Sequence, residues 1–203
     1  MKPLRLYMEG DRVICAFTLY IDVRAGEPEQ MRDIIRRGLS RMEGRYDTDN
    51  GPVEIGVRVD IVERFSLGAV NVRVENKTPV IRKWYSPRMN VSRAYWDARR
   101  KGLLKLTRYL WRRPDVFINI AGRDMENPRN QAITAMIVQH EFGHVLGFKD
   151  KYRYRKHKFS KSKSSVADRD IMYRIGEGQG FMEYHIKRLK ECAAKGRLPF
   201  RGV

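Results

Sequence analysis

The sequence predicts an α+β fold, because segments with the periodicity of strands alternate with segments that have helical spacing. Residues 4–9 and 12–24 surround a Gly-Asp turn, and the second segment is rich in β-branched and aromatic side chains, so we expect two strands there. Alternating apolar residues predict a strand over 53–64, and a similar composition predicts another over 69–76. Residues 116–120 are expected to form a buried or edge strand.

Four segments have the spacing of helices. Pro at the first position favours a helix over residues 28–42, and apolar residues three and four apart favour a final helix over 181–195. Residues 129–146 contain no helix breaker and are apolar on almost every side, which predicts a buried helix. A fourth amphipathic helix is expected over 95–111, where Gly102 weakens the pattern.

Length and composition place the chain among globular proteins. Its 203 residues suffice for one substantial core, and we expect a single domain of two lobes, residues 1–147 and 148–203. No apolar run approaches the length of a membrane span, and charged residues interrupt the N-terminal segment, so we expect neither a membrane segment nor a signal peptide. The expected location is the cytoplasm, or outside the cell after export by a signal-independent secretion system.

The two cysteines, Cys15 and Cys192, are far apart in sequence, so a disulfide framework is not expected. Neither has the spacing of a metal-binding motif, and both are predicted to be buried thiols. The sequence leaves open whether they form a single bridge.

The charge balance is strongly basic. Forty-two Lys and Arg residues stand against twenty-four Asp and Glu, a formal net charge of +18, which favours anionic partners such as nucleic acid, acidic lipid or acidic protein. Many of these cations lie between Lys149 and Lys163, interleaved with aromatic side chains. This segment is either a surface that binds substrate or a solvated loop, and the Ser-Lys run at residues 160–165 has the composition of a linker.

One motif, His-Glu-Phe-Gly-His-Val-Leu-Gly-Phe-Lys-Asp, carries the strongest functional signal. His140 and His144 are four residues apart, so both imidazoles lie on one face of a helix and can bind one metal ion. Glu141 can polarise a water at that metal. Gly147 permits the helix to end in a sharp turn, and Asp150 follows as a candidate third ligand. Two His and one carboxylate leave a fourth position open, as in catalytic zinc sites.

The motif resembles the zinc signature of the metzincin metalloproteases, His-Glu-x-x-His-x-x-Gly-x-x-His/Asp, with the Asp variant of the snapalysin type. Metzincins also have a methionine turn beneath the metal, and the sequence Asp-Ile-Met-Tyr at residues 170–173 is similar to it. The resemblance implies a zincin fold in which a mixed twisted sheet is combined with an N-terminal helix and a central zinc-binding helix. A small C-terminal lobe would contain the methionine turn, with Met172 as the floor of the site, and a final helix. Residues 115–121 would line the cleft and pair with extended substrate.

This resemblance implies a Zn²⁺-dependent endopeptidase. His140, His144 and Asp150 would hold the metal, and Glu141 would act as general base toward metal-activated water. Tyr173, or alternatively Tyr152, would stabilise the oxyanion. Two further residues, His157 and Asp168, are alternative third ligands, and His185 is expected to have a structural or surface role.

Two other classes of function remain open from the sequence. The basic charge is compatible with a metal-dependent nuclease, although a base beside the first ligand suits peptide hydrolysis better. A nucleic-acid-binding protein with a structural metal is the other alternative, but the closed four-ligand site that it needs has no fourth His or Cys at suitable spacing. The chain also resembles metallopeptidase toxins or effectors that bacteria deliver. Its expected partners are a protein or peptide substrate, acidic or associated with nucleic acid, and an acidic immunity or inhibitor protein.

Overall fold

The computed structural model describes residues 2–77, 114–148, 170, 172 and 180–197, and the backbone of two-residue strands at 93–94, 154–155 and 158–159. This part of the chain has an α+β fold with a mixed, curled sheet and three helices. The strands are β1 (Leu4–Glu9), β2 (Arg12–Val23), β3 (Gly44–Tyr46), β4 (Val53–Ile61), β5 (Val70–Glu75), β6 (Arg93–Ala94), β7 (Val116–Asn119), β8 (Tyr154–Arg155) and β9 (Lys158–Phe159). The helices are α1 (Pro28–Ser40), α2 (Pro128–Val145) and α3 (Glu183–Ala194).

Seven strands form the main sheet, in the order β3-β4-β2-β5-β7-β6, with β1 also paired to β2. The four central strands, from β4 to β7 in this order, are parallel to one another, whereas β3, β6 and β1 run antiparallel to their partners. Since β2 has twelve residues, β1 pairs with its first half and β5 with its second half, both on the side opposite β4. The strands β8 and β9 form a separate antiparallel pair.

All three helices pack against one face of the sheet around a single core. Alternate apolar residues of β2, from Val13 to Ile21, belong to this core together with the buried face of α1. The rings of Phe17 in β2 and Phe142 in α2 meet edge to face, with centroids 5.3 Å apart. The buried side of α3 joins the same core and packs against β1 and β2. The helix α2 packs mainly against α1 and also contacts β6 and β7.

Most predicted elements are confirmed, with shifted ends. The helix predicted over 28–42 ends at Ser40, the strand predicted over 53–64 ends at Ile61, and the final helix is shorter at both ends than 181–195. The sequence did not predict β3 or β6, which have three and two residues. The helix expected over 95–111 lies outside the described residues.

Residues 115–121, for which the resemblance implies pairing with substrate, have no open edge where β6 lies. β7 has β5 on one side, and on its other side Val116 and Phe117 pair with β6. Over those two residues β7 is an interior strand, and Val116 and Ile118 belong to the core.

Two predictions from composition can also be compared with the structure. Cys15 and Cys192 are both buried and free, so they do not form a bridge. None of the helices within the described ranges combines the length and the apolar character that a membrane span requires.

Candidate metal centre

The start of helix α2 is fixed by local interactions. Asn127 is its N-cap and its side chain accepts a hydrogen bond from the amide of Arg129, while Pro128 occupies the first turn, where no amide partner is needed. Every residue from Thr134 to Gly143 is buried, as the apolar character of the segment predicts. The helix therefore carries its functional side chains inside the protein, where a polar group needs a partner.

His140, His144 and Glu141 are brought together by this helix. The two imidazole rings are nearly perpendicular, with centroids 4.9 Å apart, so two nitrogen donors lie side by side on one face. His140 is 5% exposed and Glu141 is 3% exposed, whereas His144 is half-buried. This arrangement could supply two ligands to one metal ion, with a carboxylate next to the first of them.

The orientation of His144 is fixed by a carbonyl group. Its Nδ1 lies 2.9 Å from the carbonyl oxygen of Phe148. Since a carbonyl oxygen can only accept, Nδ1 carries the proton of this bond, and in the neutral ring the lone pair is then on Nε2. Metal-binding histidines in proteins generally donate their second ring N–H to such a partner. The tautomer of His144 is thus the one that a metal requires at Nε2.

Gly147 makes this bond possible. It has φ 91°, a left-handed conformation that glycine adopts without strain. The amide of Gly147 bonds to the carbonyl of His144 at 2.9 Å, and the amide of Phe148 bonds to the carbonyl of Gly143 at 3.0 Å, which together form a Schellman motif. The turn reverses the chain so that the carbonyl of Phe148 faces the imidazole of His144. The predicted role of Gly147 is confirmed.

Met172 is fully buried and lies against the part of α2 that carries His140 and His144. A Cβ atom added to Gly143 would lie only 2.5 Å from the Sδ of Met172, so the thioether occupies the space that a side chain at Gly143 would need. Gly143 is three residues from His140 and adjoins His144, which puts the sulfur beside the two histidines. The position of Met172 fits the predicted floor of the site.

Sequence reasoning missed the residues that hold Met172 in place. Asp170 is 4% exposed, its Oδ1 accepts a hydrogen bond of 2.8 Å from the amide of Met172, and its Oδ2 accepts one from the hydroxyl of Tyr184. Burial, followed by the bond to Asp170, raises the pKa of Tyr184. The only signal in the sequence is that Asp170 stands two residues before Met172, a spacing that permits a local bond to the backbone.

The first turn of α3 also supports Phe148. The ring of Phe148 lies with its centroid 5.3 Å from that of Phe181 and 4.2 Å from that of His185. His185 is buried, and its Nδ1 accepts a hydrogen bond of 3.0 Å from the amide of Met182, which caps the start of α3. The structural role predicted for His185 is confirmed, and a surface role is excluded by its burial.

The contact between α1 and α2 is unusually close at Gly38. A Cβ atom at this position would lie 2.6 Å from the carbonyl oxygen of Ala135 and 2.6 Å from the Cβ of Val138. The two helix backbones therefore meet without an intervening side chain. This contact fixes the distance of α2 from α1 at a point one turn before His140.

The remaining predicted site residues lie outside the described part of the chain. They are Asp150, Tyr152, His157, Asp168 and Tyr173. Among the described residues, no group of three or more His, Cys, Asp and Glu side chains could hold a metal ion. The described residues bring together two imidazoles and an adjacent carboxylate. A metal bound there would need a third protein ligand from outside the described residues.

Comparisons with protein-family models, with curated proteins and with solved structures find no match for this chain.

Proposed function

We propose that this protein is a zinc-dependent endopeptidase of the metzincin type. The observation that carries the proposal is the pair His140 and His144 on one buried helix face, with Nδ1 of His144 bonded to the carbonyl of Phe148. A solvent-facing pair of histidines would have no need of this arrangement. The order of elements, in which a strand, a helix and further strands precede α2 and the final helix follows Met172, also supports the proposal.

Glu141 is the general base of the proposed reaction. Its carboxylate takes a proton from the attacking water, whose oxygen bonds to the carbonyl carbon of the scissile peptide. The proton then passes to the amide nitrogen as the carbon–nitrogen bond breaks, so the products are a carboxylate and an amine. Zinc, when bound, would supply Lewis acidity beside the scissile carbonyl.

Asp150 is our proposed third ligand. It stands two residues after Phe148, whose carbonyl orients His144, so the Schellman turn at Gly147 leads directly toward it in the sequence. A carboxylate ligand of zinc is common in catalytic sites with two histidines. Removal of Asp150 should weaken zinc binding by more than removal of His157 or Asp168, the alternative ligands.

The expected substrate is an acidic protein or one that is associated with nucleic acid. The basic residues are concentrated in two segments, 78–113 with eleven cations and one acid and 149–169 with nine cations and two acids. The second segment begins directly after Phe148, so the metal helix leads into strongly positive sequence. Such charge attracts anionic partners and makes their binding sensitive to salt.

The same charge favours a second candidate function, a metal-dependent nuclease. The two candidates differ in the bond that is cleaved, so the purified protein should be incubated separately with a denatured protein and with RNA, each with and without a chelator. Chelator-sensitive cleavage of the protein supports the endopeptidase. Chelator-sensitive cleavage of RNA alone supports the nuclease, and salt-dependent RNA binding without turnover supports a binding protein with a structural metal.

The role of Glu141 gives the sharpest test. Glu141→Gln should keep zinc at the parental stoichiometry and lose peptide cleavage by about a hundredfold or more, because the loss of a general base typically costs that much. The matched control is Glu126→Gln, since Glu126 is exposed in the loop before α2 and should cleave like the parent. Parental cleavage by Glu141→Gln would exclude this residue as the base.

A further inference from the structure

The carboxylate of Asp170 is a charged group in a buried position. Burial of a carboxylate is costly unless donors compensate it, and Asp170 has one donor for each oxygen: the amide of Met172 and the hydroxyl of Tyr184. The first bond fixes the backbone at Met172, and the second ties that backbone to α3. An apolar residue at position 170 would provide neither link.

Met172 connects these hydrogen bonds to α2, the helix that carries the proposed metal ligands His140 and His144. Its sulfur occupies the space beside Gly143, and a residue with any side chain there would displace it. Because Gly143 lies between His140 and His144 in the sequence and on the same side of the helix, a shift of Met172 changes the packing beneath both imidazoles.

Tyr184 reaches Asp170 from a position near the protein surface. The side chain is 43% exposed, yet its hydroxyl reaches the buried Asp170. The tyrosine belongs to the first turn of α3, and the following turns of that helix pack against β1 and β2. The donor is thus attached to a rigid part of the fold, while its ring can be altered without opening a large cavity.

From this geometry we infer that Asp170 and Tyr184 are positioning residues that hold Met172 against α2 and thereby set the geometry of the two histidines. The inference rests on the proposed metal site. Neither residue is expected to touch substrate or metal. Their effect on the reaction passes through Met172, so it should change turnover and metal geometry more than substrate affinity.

The test uses Tyr184→Phe and Asp170→Ala in the full chain, with Asp170→Asn as the conservative rescue, since an amide can still accept from the amide of Met172 and donate to Tyr184. Tyr46→Phe is the matched control, because its hydroxyl bonds to the carbonyl of Met42 at 2.9 Å, away from α2. We expect Tyr184→Phe and Asp170→Ala to raise the cobalt dissociation constant about tenfold, as the loss of outer partners of a metal site does. The visible absorption of bound Co²⁺ should shift, kcat should fall and KM should stay near the parental value.

The control and the rescue should both keep the parental cobalt spectrum, even if Tyr46→Phe loses as much stability as Tyr184→Phe. Parental spectra and parental kcat for Tyr184→Phe would overturn the inference. If Asp170→Ala does not fold, Tyr184→Phe still decides the outcome.

A second readout separates this inference from the proposed function. The ¹³C-labelled methyl group of Met172, assigned by comparison with Met172→Leu, should change its NMR chemical shift in Tyr184→Phe and not in Tyr46→Phe, with no metal added. If the parent binds no cobalt but the Met172 signal moves, the metal site fails while the positioning of Met172 by Tyr184 stands. An unmoved signal overturns the positioning role itself.

Discussion

The Nδ1 atom of His144 lies 2.9 Å from the carbonyl oxygen of Phe148, four residues further along the chain. The bond exists because Gly147, between them, adopts φ 91° and turns the chain back on the end of α2. A single backbone conformation thus determines both where the helix ends and which nitrogen of His144 is available to a metal.

Gly147→Ala should therefore weaken metal binding as well as folding. An alanine in this left-handed conformation costs about 1–2 kcal/mol of the free energy of unfolding, and relief of that strain would move the carbonyl of Phe148. We expect zinc affinity, measured by chelator competition, to fall by about tenfold or more. Gly122→Ala is the control, since Gly122 has φ 70° with nothing within 4 Å of an added Cβ. Equal loss of zinc affinity in both variants would contradict a specific role for Gly147.

Gly143→Ala should displace Met172 at a net cost of about 0–2 kcal/mol in the free energy of unfolding. The added methyl would meet the sulfur at 2.5 Å, and overpacking of this kind costs about 1–3 kcal/mol, but alanine in a helix regains about 1 kcal/mol relative to glycine. Zinc affinity should fall even where the midpoint of denaturant unfolding moves only slightly. In a Met172→Ala background the same change should be harmless or stabilising. If the two substitutions instead prove additive, Met172 and Gly143 are not in contact.

Gly38→Ala should be strongly destabilising, although it lies in a helix. The gain in helix propensity is about 1 kcal/mol, whereas the methyl would meet a backbone carbonyl at 2.6 Å, which no change of rotamer can relieve. We expect a net loss of about 1–3 kcal/mol in the free energy of unfolding, measured with urea. Gly180→Ala, where an added Cβ meets nothing within 4 Å, should change stability by less than about 0.5 kcal/mol. A neutral Gly38→Ala would mean that α1 and α2 can separate freely.

The two thiols should be unreactive in the folded protein. Burial raises the pKa of Cys15 from 9.0 to about 12 and also raises the pKa of Cys192. At pH 8 a thiol reagent should label neither residue until denaturant is added, after which two equivalents should react. Prompt labelling of one thiol in the native protein, followed by mass spectrometry, would identify the cysteine whose burial is less complete.

The raised pKa of Cys15 also affects the stability of the protein at high pH. Because its folded-state pKa lies above the ordinary value, its contribution to the free energy of unfolding is complete below about pH 9 and is lost as the pH rises toward about 12. Stability should therefore fall less steeply over this range in Cys15→Ala than in the parent. Parallel curves for the two proteins would contradict the raised pKa.

Features that depend on neighbouring residues could be predicted from the sequence, whereas features that depend on residues distant in the chain could not. The cap at Asn127, the terminus at Gly147 and the face shared by His140 and His144 depend on neighbours in the chain, and all were predictable. The strand β6 was not, because two residues give no periodicity and its partner is more than twenty residues away. The expectation that residues 115–121 pair with substrate came from the family resemblance, which does not reveal the neighbouring strand.

The link between Asp170 and Tyr184 illustrates the same limit within the site. Fourteen residues separate them, and neither belongs to a motif that names the other. Their contact arises only because α3 folds back onto the sheet. The family resemblance could place Met172 beside the proposed metal site, but only the tertiary structure shows the hydrogen bonds that hold it in position.

Phe148 has two attachments: its main chain bonds to His144, and its ring packs on Phe181 and His185. Substitutions on that side of α3 should therefore change the position of His144, a proposed metal ligand, although the helix itself contains no proposed ligand. Among homologous chains, divergence in this helix should be confined to outward positions such as Lys190, Glu191 and Ala194. Phe181 and His185 should evolve together with the residue at position 148.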